Sequence, residues 1–325
     1  MFLSVIIPTR NRAPLLRRAL DSLLAQTYPA DLFEVVIVDN GSSDQTASVC
    51  ALFSKESPNA RHYYDDRPGL HVGRHVGMKQ GRGDILVYAD DDIRAVPTWL
   101  EGVAESFQDP QAGLVGGKSL PEFEIPPPAW VDALWQKTEW GRTIPYFSIL
   151  DFGDEIREIP SHYVWGCNYS IRKSLLVEIG GFHPDGMPND FLAYRGDGES
   201  AVSKSIHRMG YKAIYNPKAS VFHYVMKERM TRKYLYHRSY IQGISDSYTN
   251  TRELGGFRDD EQGYAKYLLQ TMKIYLSVLL GESHGIFRTI HAGYWAGYRF
   301  HQAMVRKDPA LLEWVLKKHY RDEAQ

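Results

Sequence analysis

Cysteine is scarce in this chain: Cys50 and Cys167 are the only two among 325 residues. So few thiols cannot form a disulfide framework, and they point to a reducing compartment. Long apolar runs are missing as well. No stretch approaches the roughly 18 uncharged apolar residues of a membrane span. The N-terminal apolar run is short and its basic residues follow it, which is not the order of a signal peptide. A charge excess is also absent. The 38 Lys and Arg balance 39 Asp and Glu, which leaves no electrostatic footprint for a nucleic-acid partner. These absences predict a cytoplasmic protein, or one peripheral on the inner face of a membrane. Several catalytic signatures are lacking too: there is no Walker-type phosphate loop, Gly-x-Ser-x-Gly elbow, His-Glu-x-x-His helix or Cys-x-x-Cys pair.

What is present is a regular alternation of strand and helix. Ser4-Val-Ile-Ile-Pro8 is β-branched and stops at a proline. Leu15, Leu16, Ala19, Leu20, Leu23 and Leu24 then mark one helical face over 13–26. Residues 33–39 are apolar almost throughout, as suits a parallel strand covered on both faces. A turn at 40–44 follows, with Asp44 placed to cap a helix from about 45. A strand over 61–64, a helix over 72–80 and a strand over 84–89 lead into Asp90-Asp91-Asp92. The pattern predicts an α/β fold with a parallel, doubly wound sheet. Ligands of such sheets bind beyond the carboxyl ends of the strands, where Thr9, Asp39 and the three aspartates stand.

Further along, the sequence predicts a helix at 98–107, a strand at 114–120 and a proline-rich loop at 121–128. Residues 130–160 have no assignable pattern. A strand at 164–171, helices at 173–179 and 201–209 and a strand at 212–223 complete the expected domain, residues 1–225. The remainder, 226–325, reads as a helical extension serving as lid, acceptor site, dimer contact or membrane contact. It opens with the basic residues Lys227, Arg229, Arg232 and Lys233, and shows helical periodicity at 263–280, 290–305 and 309–319. The aromatic stripe Tyr294, Trp295, Tyr298, Phe300 suits a core or homodimer contact, or docking on a membrane that carries a lipid-linked acceptor.

Three carboxylates at one strand end repel each other unless a cation lies between them. Hard oxygen ligands suit Mg2+ or Mn2+; the alternative is a solvated acidic turn. Asp39 can accept from a base imide or a ribose hydroxyl, or cap its turn. His223 closes an apolar strand, where a histidine serves as a structural group or as a ligand. Gly196-Asp197-Gly198-Glu199 sets two carboxylates before a helix, fit for a general base or for a helix cap.

Taken in order, these motifs resemble family 2 of the inverting glycosyltransferases, which have the GT-A fold. The resemblance runs through Ser4-Val-Ile-Ile-Pro-Thr-Arg-Asn-Arg12, Leu23-Leu-Ala-Gln-Thr-Tyr-Pro29, Glu34-Val-Val-Ile-Val-Asp-Asn-Gly-Ser-Ser-Asp44 and Gly73-Arg-His-Val-Gly77. It continues in Gly83-Asp-Ile-Leu-Val-Tyr-Ala-Asp-Asp-Asp-Ile93, Gly166-Cys-Asn168, Gly180-Gly-Phe182, Gly210-Tyr211 and the strand ending at His223. It implies that Pro8, Thr9 and Arg10 border a nucleotide pocket, that Asp39 contacts the base and that Arg74 lies near the nucleotide. Asp91 would face the ribose or diphosphate. Asp92, Asp90 and His223 would hold Mn2+ or Mg2+. Two departures stand out: Gly73-Arg74-His75 replaces the family's Ala-Arg-Asn, and Gly196-Asp-Gly-Glu199 replaces Gly-Glu-Asp. Counting back from Gly210-Tyr211 puts Glu199 on the family's catalytic aspartate; a one-step slip would favour Asp197. The resemblance implies an inverting transfer from a nucleoside-diphosphate sugar, UDP first, to a hydroxyl on a glycan or lipid-linked acceptor in polysaccharide or glycan biosynthesis. The altered loop leaves open a nucleotide-sugar-binding protein without turnover. A sugar nucleotidylyltransferase would carry a glycine- and lysine-rich loop where this chain reads Pro8-Thr-Arg-Asn-Arg12.

Overall fold

The computed structural model describes residues 1–257 and 282–321. Its first half builds the expected alternation: β1 (Leu3–Thr9), α1 (Ala13–Leu24), β2 (Phe33–Asp39), α2 (Thr46–Glu56), β3 (Ala60–Tyr64), α3 (Leu70–Gln80), β4 (Ile85–Ala89) and β5 (Ile93–Ala95). Then come α4 (Trp99–Ser106), β6 (Ala112–Gly116), β7 (Ser119–Phe123), β8 (Gln136–Lys137), β9 (Arg142–Ile144), β10 (Ile149–Asp151), β11 (Arg157–Ile159), β12 (Asn168–Arg172) and α5 (Lys173–Ile179). The chain continues with α6 (Glu199–Arg208), β13 (Lys212–Tyr215), β14 (Val221–Val225), α7 (Arg232–Leu254), α8 (Glu282–Lys307) and α9 (Pro309–Leu316).

The main sheet has the order β11-β13-β6-β12-β4-β1-β2-β3. β1, β2, β3 and β4 run parallel, and every residue of β1 and β2 is buried, as suits the apolar stretches Val5-Ile6-Ile7 and Val35-Val36-Ile37-Val38 at their centres. One core fills each face: Leu16, Leu20, Phe53 and Trp99 lie on one side, Tyr88, Tyr169, Phe182 and Ile206 on the other. β12 enters antiparallel between β4 and β6, and pairs Asn168 with Ala89. That register brings the loop before β12 beside the acidic run after β4.

A second sheet, ordered β5-β14-β7-β10-β9-β8, stands over the carboxyl ends of the first. It corrects two expectations. The run 114–120 divides into β6 and β7, and 212–223 into β13 and β14, one strand of each pair going to each sheet. The second break falls at Asn216-Pro217, where proline has no N–H for a ladder and Asn216 Oδ1 accepts the Lys218 N–H, 2.9 Å. Pro121 lies within β7, not in a loop, and the unassigned stretch supplies the short strands β8 to β11.

The C-terminal helices pack on this body. A Cβ on Gly243 would collide with the Tyr294 carbonyl oxygen and one on Gly297 with that of Tyr240, so α7 and α8 lie backbone to backbone. The aromatic stripe faces α7: Trp295 and Tyr298 are buried, and the Tyr294 hydroxyl donates to Asp246, 2.9 Å. The periodic segment 263–280 lies outside the described residues. Among the described residues, no helix is long and apolar enough to cross a membrane.

Candidate active site

β1 and β4 end side by side, and this brings Thr9 to the acidic run. The Thr9 hydroxyl donates to Asp91 Oδ2 at 2.7 Å. Arg12, at the entrance to α1, donates from one nitrogen to both Asp91 and Asp92, 3.0 Å each. From the short turn after β14, Arg229 donates to Asp92 Oδ2 at 2.6 Å. Pro8, Thr9, Arg10, the three aspartates and Arg229 line a cleft of about 290 Å³. Asp39 stands at the end of the neighbouring strand, just outside that lining, and its Oδ1 accepts the Ser42 N–H, 2.8 Å.

Asp90, Asp92 and His223 each offer a ligand atom, all within 4.8 Å of one another. His223 Nδ1 lies 2.7 Å from the Phe147 carbonyl oxygen, which fixes the proton on Nδ1. Nε2 then points at Asp92 Oδ1, 3.2 Å away. With a proton on Nε2 the pair is a hydrogen bond. Without one, the lone pair accepts from Arg229 Nη1, 3.3 Å away, beside the two carboxylates. Once that arginine moves aside, the three groups are a set of hard donors with one imidazole that fits Mn2+ or Mg2+. The hydrogen bond from Nδ1 to a carbonyl is the usual way in which a metal-ligating histidine is oriented.

The three carboxyls differ electrostatically. Burial raises Asp91 to about 6, against the pull of Arg12 and of the Thr9 hydroxyl. Burial and the charge of Asp92 raise Asp90, and Arg74 opposes them. For Asp92 burial is outweighed by His223, Arg229 and Arg12, which hold it well below the usual carboxylate range. Asp92 is therefore the carboxyl of the run that gives up its proton most readily.

The loop Gly196–Glu199 closes the other side of the site. Glu199, at the first turn of α6, accepts from Arg74 Nη1 at 3.0 Å and from the Gly166 N–H at 3.1 Å. Arg74 is buried and also lies 3.8 Å from Asp185. It is close enough to Asp90 to act on that carboxyl as well. Asp197 points elsewhere. Its Oδ1 lies 2.7 Å from His183 Nδ1 and its Oδ2 accepts from the Thr249 hydroxyl, 2.8 Å. Glu199 opens onto a polar cavity of about 430 Å³, walled across from it by α7.

The structure therefore gathers Pro8, Thr9, Arg10, Asp90, Asp91 and Asp92 at one cleft, with His223 buried against Asp92 and Arg74 bonded to Glu199 nearby. Sequence reasoning gave no role to Arg12 or Asp185. Arg12 sits inside the first motif, so a basic residue near three carboxylates was a usable signal. Asp185 lies in an irregular loop with no pattern to mark it.

A model of glycosyl transferase family 2 matches residues 4–180. The glucosyl-dolichyl phosphate glucuronosyltransferase of Haloferax volcanii is 28% identical over 253 residues, 75% of this chain and 76% of that one. Glycosyltransferase AglE of the same organism is 29% identical over 178 residues, 51% and 58% of the two chains. A validoxylamine A glucosyltransferase of Streptomyces hygroscopicus is 30% identical over 203 residues, 56% of this chain and 47% of that one. Among solved structures, mannosyltransferase PcManGT from Pyrobaculum calidifontis, in complex with GDP-Man and Mn2+, superposes with a TM-score of 0.56 at 20% identity, covering 96% of this chain and 85% of that one. TarS 1-349 of S. aureus with UDP-GlcNAc gives 0.51 at 17%, covering 94% and 92%. At these identities the likeness is one of fold.

Proposed function

This chain belongs to glycosyl transferase family 2, and from that premise we propose that it moves a sugar from a nucleoside-diphosphate sugar, with inversion, to a hydroxyl of a glycan or lipid-linked acceptor. The observation that carries the proposal is the place of Arg74: one buried guanidinium is bonded to Glu199 and lies near enough to Asp90 to act on its carboxyl, so a base candidate and a diphosphate-binding edge share one site. Glu199 takes the proton of the acceptor hydroxyl as it attacks the anomeric carbon. Asp197, with both oxygens engaged, holds the loop. Thr9 and Arg10 border the nucleotide, and Asp39 stands where the base is expected. Asp90, Asp92 and His223 would hold Mn2+ or Mg2+, whose chemistry is to offset the charge that builds on the leaving diphosphate. Arg12 and Arg229 are the cations of the chain itself at that point. The dolichyl-linked substrate named for the Haloferax relative supports a lipid-linked acceptor, and with it a peripheral place at a membrane. α7 and Tyr294 of α8 supply the wall of the acceptor side.

UDP is the first choice of base, and GDP the second, after the ligands of the two fold neighbours. Thermal shift with UDP, GDP, dTDP and CMP, with and without Mn2+, tests the reading. A ligand at 100 times its dissociation constant adds about 2.7 kcal/mol to stability. The expected result is a rise of several degrees with one nucleoside diphosphate, dependent on Mn2+ and lost in Asp92→Ala. No rise with any nucleotide would sink the proposal.

A further inference from the structure

The loop that carries Glu199 is held from behind by the far end of the chain. Asp197 is fixed through His183, whose ring stands edge-on to Tyr248 at 5.7 Å and to Tyr320 at 5.4 Å. Tyr248, fully buried in α7, lies directly under the loop: a Cβ on Gly196 would be 3.0 Å from its ring. The Tyr248 hydroxyl donates to the Tyr320 hydroxyl at 2.8 Å, and Tyr320 donates onward to the Trp314 carbonyl. Segment 309–321 is itself fastened across the molecule. Arg252 donates to the carbonyl oxygens of Val315 and Lys317 at 2.7 and 2.6 Å. Trp314 Nε1 donates to the Tyr194 carbonyl at 3.0 Å, and Arg321 to that of Val177 at 2.9 Å.

We infer that segment 309–321 is a strap that sets the base loop, with Tyr320 as a positioning residue for the transfer reaction. The inference rests on the reading of Glu199 as the base. Tyr320 lines neither the acidic cleft nor the cavity of Glu199. It orders Tyr248 and His183, these order Gly196 and Asp197, and the loop then presents Glu199 against the Gly166 N–H and Arg74. A hydroxyl relay is directional, so losing one member lets the loop shift without emptying the core. Shifts of this kind are costly: a misplacement of about 1 Å can lower a rate about 100-fold. On the donor edge, Asp91 and Asp92 are held by Thr9, Arg12 and Arg229 and not by the strap, so donor binding is expected to survive its loosening.

The test compares Tyr320→Phe, Tyr248→Phe, His183→Leu, His183→Gln and Glu199→Gln in the full chain. The readouts are UDP release from UDP-GlcNAc and GDP release from GDP-Man, each with Mn2+ and with water as acceptor, together with nucleotide thermal shift. Both Phe variants keep the ring and drop only the hydroxyl. They are expected to lower kcat about 5- to 100-fold while leaving the donor KM and the nucleotide-induced shift unchanged. His183→Leu should match them, and His183→Gln, which can still donate to Asp197, should recover most of the loss. The inference is overturned if Tyr320→Phe turns over like the parent, or if its loss of kcat comes with an equal loss of donor affinity. Glu199→Gln separates the two readings. If it is inactive while Tyr320→Phe is not, only the strap falls; if it keeps its turnover, the base assignment falls and the strap with it.

Discussion

Glu199 and Asp197 lie two residues apart in one loop, yet their surroundings give them different work. Both line the polar cavity and both have their two oxygens engaged, Glu199 by Arg74 and the Gly166 N–H, Asp197 by His183 and Thr249, so only Glu199 is tied to the guanidinium that lies towards the carboxylate run. Glu199→Gln is therefore expected to lower turnover about 100- to 10,000-fold, the usual cost of losing a general base, with nucleotide binding intact by thermal shift. Asp197→Asn should cost stability and only part of the rate, since the amide keeps one acceptor for Thr249. An inactive Asp197→Asn beside an active Glu199→Gln would reverse the roles. The sequence alone left this pair open because both carboxylates precede the same helix, and spacing cannot say which way a side chain turns. The aspartate run was legible for the opposite reason: an apolar strand ending in three acids has one edge of the sheet to occupy. Asp185 was not legible, because its partners Arg74 and Arg195 meet it only through the fold.

Elements with a clear period were readable, and the breaks between them were not. α1, β1, β2 and β4 lie close to where their periodicity sets them. The runs at 114–120 and 212–223 read as single strands because each has apolar residues on both sides of a short break, Gly116-Gly117-Lys118 in one and Asn216-Pro217-Lys218 in the other; only the second sheet, built from distant strands, explains why the chain turns there. The pairing of α7 with α8 was equally hidden, since helical periodicity marks an apolar face but not how near another helix comes. Gly297 sits where any side chain would meet the Tyr240 carbonyl. Gly297→Ala should force the helices apart at a cost of about 1–3 kcal/mol, as overpacking does. A thermal midpoint lower by several degrees, with unchanged nucleotide affinity, is the expected result. An unchanged midpoint would mean that the helices slide freely past each other.

At the scale of the whole molecule, the doubly wound sheet followed from the alternation of strand and helix, whereas the sheet above it, made of short segments, did not. The buried histidines give the molecule an acid limit. Burial pushes His71 and His301 down to about 4 and His75 to about 3. An unfolded imidazole titrates near 6.5. Between about pH 6.5 and 4 the unfolded chain binds protons that the native one refuses, so stability falls as pH falls. Asp91, raised to about 6, and Asp90, also raised, work in the opposite direction, but they are two groups against three. The thermal midpoint should fall steadily over that window and less steeply in His71→Gln; a flat profile would mean that the histidines ionise in place. A different consequence follows from Arg12 and Arg229, which already rest on Asp91 and Asp92. The cleft carries its own counter-charge, so a diphosphate arriving with its cation exchanges partners with these arginines and adds little net charge. Affinity for a nucleoside diphosphate with Mn2+ should thus change little between low and physiological ionic strength, whereas an open basic groove would lose its hold as salt screens it.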